Sequence, residues 1–320
     1  MLLQERDLCF NRWKQIINVH DLNKNAAAFL ISEKPRGNES LNQKNYAHMK
    51  YILLLCLSVF TVNAFSQTID TVDLKSHFGD HPGGFSVYNF KLDRYIHYNV
   101  EQCKKRFSPC STFKIPNSLI GLETGVVPDS GFIIKYDSVL HPRDAVLLNT
   151  EPFKYWFQDL SLKEAFHYSC VWYYQELARR IGQDRMAKYL DLLEYGNKNI
   201  TSGIDMFWLC GSLQISIDEQ IEFLKKLYTN RLQGFSAKSL KTVKDIMLYE
   251  STPQYKLYGK TGSGDCLDGK IIAWYVGFIE TDTGANVFAM NIIVDSYDDL
   301  KNNFRTELTK DLLRELKIIQ

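Results

Sequence analysis

The fold class is indicated first by the ten residues Ile271-Ile272-Ala273-Trp274-Tyr275-Val276-Gly277-Phe278-Ile279-Glu280. This stretch is rich in β-branched and aromatic residues, which is typical of a β-strand. Two neighbouring stretches, Tyr255 to Lys260 and Asn286 to Asp295, also alternate or run apolar, and glycine and aspartate residues separate the three. We therefore expect three adjacent antiparallel strands in one sheet.

A hairpin is predicted nearer the start, where the stretches Gly84 to Phe90 and Arg94 to Tyr98 flank a short polar turn. We expect it to join the same sheet. Helical patterns fill the middle and end of the chain: Ser111 to Glu123 with a bend at Pro116 just after Lys114, Ser161 to Ile181, Gln183 to Leu193, Asp218 to Asn230, Ser239 to Leu248 and Asn303 to Ile318. The predicted fold class is mixed α/β (α+β): an antiparallel sheet flanked by helices, plus an all-helical lobe inserted between the strands.

Four short motifs carry the candidate chemistry. Ser111-Thr112-Phe113-Lys114 places a hydroxyl and an amine three residues apart, which on a helix means one face and about 5–6 Å between Cβ atoms. On its own this pattern is more often an exposed helix start. Three motifs follow it: Ser169-Cys170-Val171, Tyr195-Gly196-Asn197 and Lys260-Thr261-Gly262. Taken singly, the first indicates a helix N-cap at Ser169, the second a turn that ends a helix, and the third the end of a strand. Only the four motifs together favour a catalytic site.

The residue types fit nucleophilic catalysis by serine. A serine hydroxyl needs a base, and an ordinary lysine, with a pKa of about 10.4, is protonated. Burial lowers that pKa, and a neutral amine also reacts with carbon dioxide to form a carbamate. The main-chain N–H groups of Ser111 and Ser263 are predicted to form an oxyanion hole. Lys260 and Thr261 suit a substrate carboxylate, and Gly262 allows a close backbone approach.

With these motifs the chain resembles the class D, or oxacillinase-type, serine β-lactamases from about Phe85 to Leu312. Supporting stretches are Phe107 to Ser111, Ile115 to Asn117, Gly121 to Gly125, Gly203 to Asp205, Phe207 to Leu209 and Ala273 to Gly277. The resemblance implies the penicillin-recognising serine transferase/hydrolase fold. It also implies hydrolysis of the β-lactam amide bond of penicillins and oxacillin-type antibiotics through a serine acyl-enzyme, which gives antibiotic resistance.

The resemblance also implies roles for individual residues. Ser111 matches the acylated nucleophile, and Lys114 matches a lysine whose Nζ is carboxylated by CO₂ or bicarbonate to serve as general base. Trp208 matches the indole donor that holds the carbamate. Ser169 matches the serine that passes a proton to the lactam nitrogen, with Lys260 as a further catalytic residue. No other cofactor is implied, and the expected partners are small-molecule β-lactams bound by a monomer or homodimer.

Further matches concern the substrate and the framework of the site. Val171 and Leu209 match apolar residues that cover the lysine and border the substrate. Lys260-Thr261-Gly262 and Arg305 match a positive cluster that receives the substrate carboxylate. Tyr195-Gly196-Asn197 matches a turn whose role is mainly structural. The loop from Asp265 to Lys270 follows no pattern of the family, so the substrate spectrum, carbapenems included, stays open.

Two alternatives to hydrolysis also stay open. One is a β-lactam-sensing penicillin-binding domain that is acylated without turnover, and the other is a penicillin-binding enzyme that acts on peptidoglycan peptides. Sensors of this kind are tethered behind several transmembrane helices, and peptidoglycan enzymes usually carry more sequence and a different second motif. Hydrolysis is therefore the preferred interpretation.

Composition and spacing exclude other classes of site. The formal net charge of the 320 residues is +1 and no basic patch stands out, so nucleic acid is not expected as a partner. The chain has no Cys-x-x-Cys pair. His77 and His81 are four residues apart, but Gly79 and Pro82 argue against a helix there, so no metal site is predicted.

The N-terminus carries a targeting pattern. Lys50 precedes a short apolar run from Tyr51 to Val62, and Ala64 provides a small residue for cleavage. We therefore expect a signal peptide at 49–64, because the run is shorter than the about 20 residues that span a bilayer.

The targeting pattern divides the chain into segments. Residues 1–48 are expected to be an upstream extension that is either untranslated, with translation starting at Met49, or disordered. Residues 65–320 are then the catalytic domain of a periplasmic protein that has no membrane contact after cleavage.

The predicted mature chain carries five cysteines: Cys103, Cys110, Cys170, Cys210 and Cys266. Cys103 and Cys110 are close enough in sequence to bridge in an oxidising compartment, although the pattern leaves open whether they do. The odd number leaves at least one thiol free. The other three cysteines are expected to be small buried residues.

Overall fold

The structure, a computed structural model, describes residues 69–320. The strands in this part of the chain are β1 (Ile69–Thr71), β2 (Gly83–Asn89), β3 (Arg94–Tyr98), β4 (Ile133–Ile134), β5 (Leu160–Ser161), β6 (Leu248–Ser251), β7 (Tyr255–Leu267), β8 (Lys270–Thr281) and β9 (Gly284–Val294). Strands β4 and β5 form a small ribbon, and the other seven form one sheet in the order β1-β3-β2-β9-β8-β7-β6.

The sheet confirms the expected strand neighbours. Strands β7, β8 and β9 are consecutive and antiparallel, and the hairpin β2–β3 joins them because β2 pairs with β9. One pair, β1 with β3, is parallel. Strand β7 continues seven residues past Lys260, so the Lys260–Gly262 motif lies in the middle of a strand and not at its end. Gly262 and Gly264 pair with Trp274 and Ile272 of β8, although glycine carries no strand signal.

Helices surround this sheet. They are α1 (Lys75–Phe78), α2 (Val100–Lys104), α3 (Lys114–Glu123), α4 (Leu162–His167), α5 (Val171–Ile181), α6 (Gln183–Leu193), α7 (Ile217–Tyr228), α8 (Ala237–Met247) and α9 (Phe304–Glu315). Helices α6 to α9 start and end within about three residues of the predicted bounds. The other two predicted helices are each divided.

The predicted helix from Ser111 to Glu123 begins as a 3₁₀ turn at Cys110–Phe113, which we name the nucleophile turn, and α3 starts only at Lys114. Pro116 therefore lies in the first turn of α3, where its missing N–H removes no helical hydrogen bond. The predicted helix from Ser161 to Ile181 is also broken, because Ser169 adopts a left-handed conformation with φ of 56° between α4 and α5.

The side chains of β8 alternate between two cores. Ile272, Trp274 and Val276 pack with the helical lobe, which consists of α3 to α8. Ala273 and Tyr275 pack on the opposite face with α1 and α9. Because both faces of the strand are covered, its sequence is apolar almost without interruption. This sandwich is the mixed α/β fold with a helical lobe that the pattern predicts.

The cysteines correct part of the prediction. A disulfide joins Cys210 to Cys266, 56 residues apart, so these two are not the small buried residues that were expected. Cys103, Cys110 and Cys170 are free and buried. Cys103 does not bridge to Cys110, because its thiol lies in α2 and points to the carbonyl groups of β2 and β3.

The predicted extension at 1–48 and signal peptide at 49–64 lie outside the described residues. Within residues 69–320, no helix combines the length and the apolar character needed to cross a bilayer.

Candidate active site

The nucleophile turn is packed directly against β7. A Cβ added at Gly262 would lie 2.9 Å from the carbonyl oxygen of Pro109 and 3.1 Å from the backbone nitrogen of Ser111. Only glycine therefore lets the turn come this close to the strand. Ser263, which is predicted to form the oxyanion hole with Ser111, follows Gly262 directly on β7.

Lys114 stands one turn further on and is completely buried. Its Nζ lies 2.9 Å from Ser111 Oγ and 5.2 Å from the centre of the Tyr174 ring. Burial lowers the pKa of Lys114 to about 8, although the Cys170 and Cys110 thiols act in the opposite direction. A lysine with this pKa is partly neutral near physiological pH, as a base for Ser111 must be.

Aromatic rings pack around Phe113, the residue directly before Lys114. Phe113 stacks on Trp208 with ring centres 5.4 Å apart and meets Phe207 edge to face at 5.0 Å. All three rings are buried. Leu209 packs beside them half-buried, and Val171, also half-buried, begins α5. Lys114 itself is fully buried, and this loss of contact with water is the main cause of its low pKa.

Ser169 lies in the break between α4 and α5. The N-cap of α5 is Cys170, which makes no side-chain capping bond. The prediction that Ser169 is the N-cap of this helix is therefore wrong. Aromatic residues support this segment: Trp156 Nε1 donates to the Tyr168 carbonyl at 2.9 Å, and Tyr155 stacks on Tyr168 at 4.4 Å. The Ser169 hydroxyl is therefore not required for capping.

A buried basic cluster lies along β7. Lys260 is 5% exposed, and its Nζ donates to the Thr261 carbonyl at 3.0 Å. Burial, together with the positive charges of Lys114 and Arg305, lowers the pKa of Lys260 well below its usual value. This cluster favours an anion, because each cation raises the energy of the others.

Arg305 reaches the same cluster from α9. Its Nη1 donates to the Gly262 carbonyl at 3.3 Å and to Ser263 Oγ at 3.1 Å, and burial lowers its pKa to about 10. Its buried Nε has no hydrogen-bond partner. The structure thus brings Arg305 to the strand that carries the Lys-Thr-Gly motif.

The Tyr195-Gly196-Asn197 turn supports the site from behind. A Cβ at Gly196 would lie 2.1 Å from the Gln214 carbonyl, and φ there is 53°, so the position requires glycine. Asn197 donates to the Ser212 carbonyl at 2.9 Å and accepts from the Gln214 amide at 3.0 Å. These bonds fasten the loop that returns from Trp208.

Sequence reasoning assigned no role to two residues near the nucleophile turn, Gln220 beneath it and Ser108 just before it. Gln220 donates to Thr112 Oγ1 at 3.0 Å and accepts from the Tyr195 hydroxyl at 3.4 Å, all three being fully buried. Ser108 donates to the Trp208 carbonyl at 2.9 Å. A glutamine on the apolar face of a predicted helix was the available signal for Gln220. Ser108 lies in the stretch from Phe107 to Ser111 that supports the family resemblance, but its bond to the distant Trp208 has no local signal.

Comparison with known proteins places the chain in a family. The model of the penicillin-binding protein transpeptidase domain matches residues 66–314. The β-lactamase OXA-48 of Klebsiella pneumoniae is 39% identical over 246 residues, which are 76% of this chain and 88% of that protein. The crystal structure of a class D β-lactamase from Sebaldella termitidis is 38% identical and has a TM-score of 0.72, covering 80% of this chain and 100% of that one.

A regulatory protein is also similar. BlaR1 of Bacillus licheniformis is 36% identical over 211 residues, which are 66% of this chain but 33% of BlaR1. The β-lactamase OXA-48 and the Sebaldella termitidis enzyme match over nearly their whole length, and the latter shares the fold described above. The chain therefore belongs to the class D serine β-lactamases, hydrolases of the penicillin-binding protein transpeptidase domain family.

Proposed function

We propose that this protein hydrolyses the β-lactam amide bond of penicillins and oxacillin-type antibiotics through an acyl-enzyme on Ser111, with a carboxylated Lys114 as general base. One observation carries the proposal: a fully buried lysine with a pKa lowered to about 8 lies 2.9 Å from the serine hydroxyl. A protonated lysine does not accept the serine proton, and burial keeps this one partly neutral.

The surroundings of Lys114 fit carboxylation. A neutral amine reacts with CO₂, and the rings of Phe113 and Trp208 keep water away from the product. The neighbouring cations also favour carboxylation, because the positive charges of Lys114 and Arg305 both repel that of Lys260. Replacing one positive charge by a negative charge relieves this repulsion. When present, a carbamate on Nζ supplies an anionic oxygen that accepts a proton.

The remaining residues then divide the reaction between them. Ser111 attacks the lactam carbonyl while its own N–H and that of Ser263 hold the oxyanion. Ser169 and Lys260 deliver a proton to the departing nitrogen. The substrate carboxylate is received by Thr261 and Arg305, with Val171 and Leu209 as the apolar border. Water activated on the side of Lys114 releases the acyl group.

Steady-state turnover tests the proposal. The purified protein is expected to hydrolyse a chromogenic cephalosporin and oxacillin continuously, faster with added bicarbonate. Lys114→Ala should lower kcat by about 10²–10⁴-fold and accumulate acylated protein, seen as a mass increase equal to the antibiotic. Lys163→Ala, an exposed lysine, is the control. Undiminished turnover of Lys114→Ala, or the absence of a ¹³C carbamate signal while penicillin is consumed, contradicts the mechanism.

The similarity to BlaR1 favours one second candidate, a penicillin-binding sensor. Such a protein is acylated once and releases nothing, so it gives a burst equal to the protein concentration and no steady state. The same assay therefore decides between the two functions.

We further propose that the signal peptide directs the domain to the periplasm, where hydrolysis gives resistance. N-terminal sequencing of the exported protein is expected to begin near residue 65. Peptides from residues 1–48 in exported material contradict the assignment of that segment.

A further inference from the structure

Three sulfur atoms meet beside the nucleophile. Cys110 Sγ lies 3.8 Å from Cys266 Sγ, and Cys266 is bonded to Cys210. All three converge on Gly264 of β7: a Cβ there would lie 2.8 Å from the sulfur of Cys210, 2.9 Å from that of Cys110 and 3.0 Å from that of Cys266. The strand therefore has no side chain at the point where the free thiol faces the disulfide.

The three cysteines differ in their exposure. Cys110 is buried, Cys266 is half-buried and Cys210 is exposed. The free thiol of Cys110 thus lies on the buried side of the Cys210–Cys266 disulfide, and Cys210 lies on the exposed side. Thiol–disulfide exchange needs an attacking thiol and a disulfide, and both are present here. Attack on Cys266 would displace the sulfur of Cys210, which is exposed.

We propose that Cys110, Cys210 and Cys266 form a thiol–disulfide exchange site that displaces the nucleophile Ser111. Cys110 loses its proton to solvent, and its thiolate attacks Cys266 Sγ. A Cys110–Cys266 bond forms as the Cys210–Cys266 bond breaks, and Cys210 leaves as a thiolate that takes a proton from water. The number of disulfides is unchanged, so the step requires no oxidant or reductant.

The charges around Cys110 set the pH at which exchange proceeds. Burial raises the pKa of its thiol to about 11, while hydrogen bonding with Ser108 and the positive charges of Lys114 and Arg305 act against that rise. Tyr297, from the turn before α9, also faces the thiol. Exchange is therefore slow at neutral pH and accelerates as the pH approaches 11, because only the thiolate attacks.

Exchange also moves the active site. A disulfide bond is about 2.0 Å long, so the two sulfurs must close from 3.8 Å. Cys110 directly precedes Ser111, and the nucleophile turn is therefore pulled toward the end of β7. Misplacing a reacting group by about 1 Å costs about 10²-fold in rate. The exchanged form is then a low-activity isomer that carries a reactive thiol at Cys210.

Trapping the released thiol tests the exchange in the intact protein. The wild-type protein is incubated at pH 9.5 with N-ethylmaleimide, then digested without reduction and mapped by mass spectrometry. We expect the label on Cys210 together with a Cys110–Cys266 linked peptide, and no label on Cys210 in Cys110→Ser. Cys103→Ser, another buried free cysteine, is the control and should behave as wild type. Label on Cys110 itself, or equal label on Cys210 in both proteins, overturns the proposal.

A second variant separates the chemistry from its effect. Cys210→Ser retains only Cys110 and Cys266 at this site, and we expect oxidised glutathione to link these two cysteines. The linked protein should have a kcat at least about 10-fold lower, and dithiothreitol should restore it. Failure to form the linked peptide, or a linked protein with unchanged kcat, contradicts the proposal. The activity readout rests on the proposed function whereas the peptide maps do not, so the failure of one is distinguishable from the failure of the other.

Discussion

The hydroxyl of Ser108 donates a 2.9 Å hydrogen bond to the main-chain carbonyl of Trp208, 100 residues further along the chain. The same oxygen accepts from the amide of Cys210 at 3.1 Å. One buried serine thus fastens the segment that carries Trp208 to the residues immediately before the nucleophile. The same link holds Trp208 near Phe113, the residue before Lys114, on which the indole ring stacks.

Ser108→Ala should therefore weaken the site as well as the fold. It leaves the buried Trp208 carbonyl and the partly buried Cys210 amide without their partner. An unpaired buried polar group costs about 1–3 kcal/mol of unfolding free energy, and we expect the steady-state kcat to fall as well. Ser239→Ala removes a buried hydroxyl that bonds Glu123 far from the site and is the control. Equal loss of stability with unchanged kcat in both variants would show that Ser108 has no role in positioning Trp208.

Trp208→Phe retains a ring against Phe113 but removes the indole N–H. If that donor holds a carbamate, its loss weakens carboxylation by about 10- to 100-fold, the value of a hydrogen bond to a charged group. We expect added bicarbonate to raise turnover of the variant by a larger factor than turnover of the wild type. Trp274→Phe is the control, because its indole donates to the Ser108 carbonyl instead. The same bicarbonate response in both variants would argue against the role given to Trp208.

Turnover should depend on pH through Lys114. Its pKa is lowered to about 8, so the neutral amine is the majority form above pH 8 and about 1% of the total at pH 6. Since only the neutral form accepts a proton or reacts with CO₂, kcat/KM is expected to rise with pH from 6 to 8. Bicarbonate should shift the midpoint to lower pH. A flat profile between pH 6 and 9, measured with the chromogenic cephalosporin, would contradict this assignment.

Gly262→Ala should act on the nucleophile from the neighbouring strand. The new methyl group meets the backbone of Pro109, Ser111 and Thr112 at 2.9–3.1 Å, so the nucleophile turn must move away from β7. We expect kcat to fall by about 10²-fold, as for a displacement of about 1 Å. Gly131→Ala meets only the side chain of Asp129, at 3.3 Å, and serves as control. Wild-type kcat in Gly262→Ala would show that the turn tolerates the displacement.

Arg305→Ala should affect substrate binding more than chemistry. The variant loses the cation expected to receive the substrate carboxylate, together with the bonds to Gly262 and Ser263. A charged hydrogen bond contributes about 1.5–3 kcal/mol, so kcat/KM should fall by about 10- to 100-fold, mainly through KM. Arg305→Lys is expected to recover part of the loss. A rise in KM that is equal for both variants would assign the effect to geometry rather than to charge.

The prediction of the fold succeeded where both faces of a strand are covered. Strands β8 and β9 lie within about two residues of their expected positions, because burial on two sides leaves a continuous apolar run. It failed where small residues form the strand. The nucleophile turn and three sulfur atoms come so close to Gly262 and Gly264 that no Cβ fits there, and glycine itself does not indicate a strand. The break at Ser169 was also missed, because no glycine or proline marks it.

Local patterns along the chain were enough to predict the fold class, the residues of the four motifs and their serine-type chemistry, since periodic burial and short-range spacing are local properties. Tertiary structure alone decided that Lys114 is fully buried 2.9 Å from Ser111 Oγ, and that Arg305 reaches the Lys-Thr-Gly strand. It also decided that Cys210 bonds to Cys266. The pKa of a lysine and the pairing of two cysteines depend on which atoms surround them, and those atoms come from segments distant in the chain.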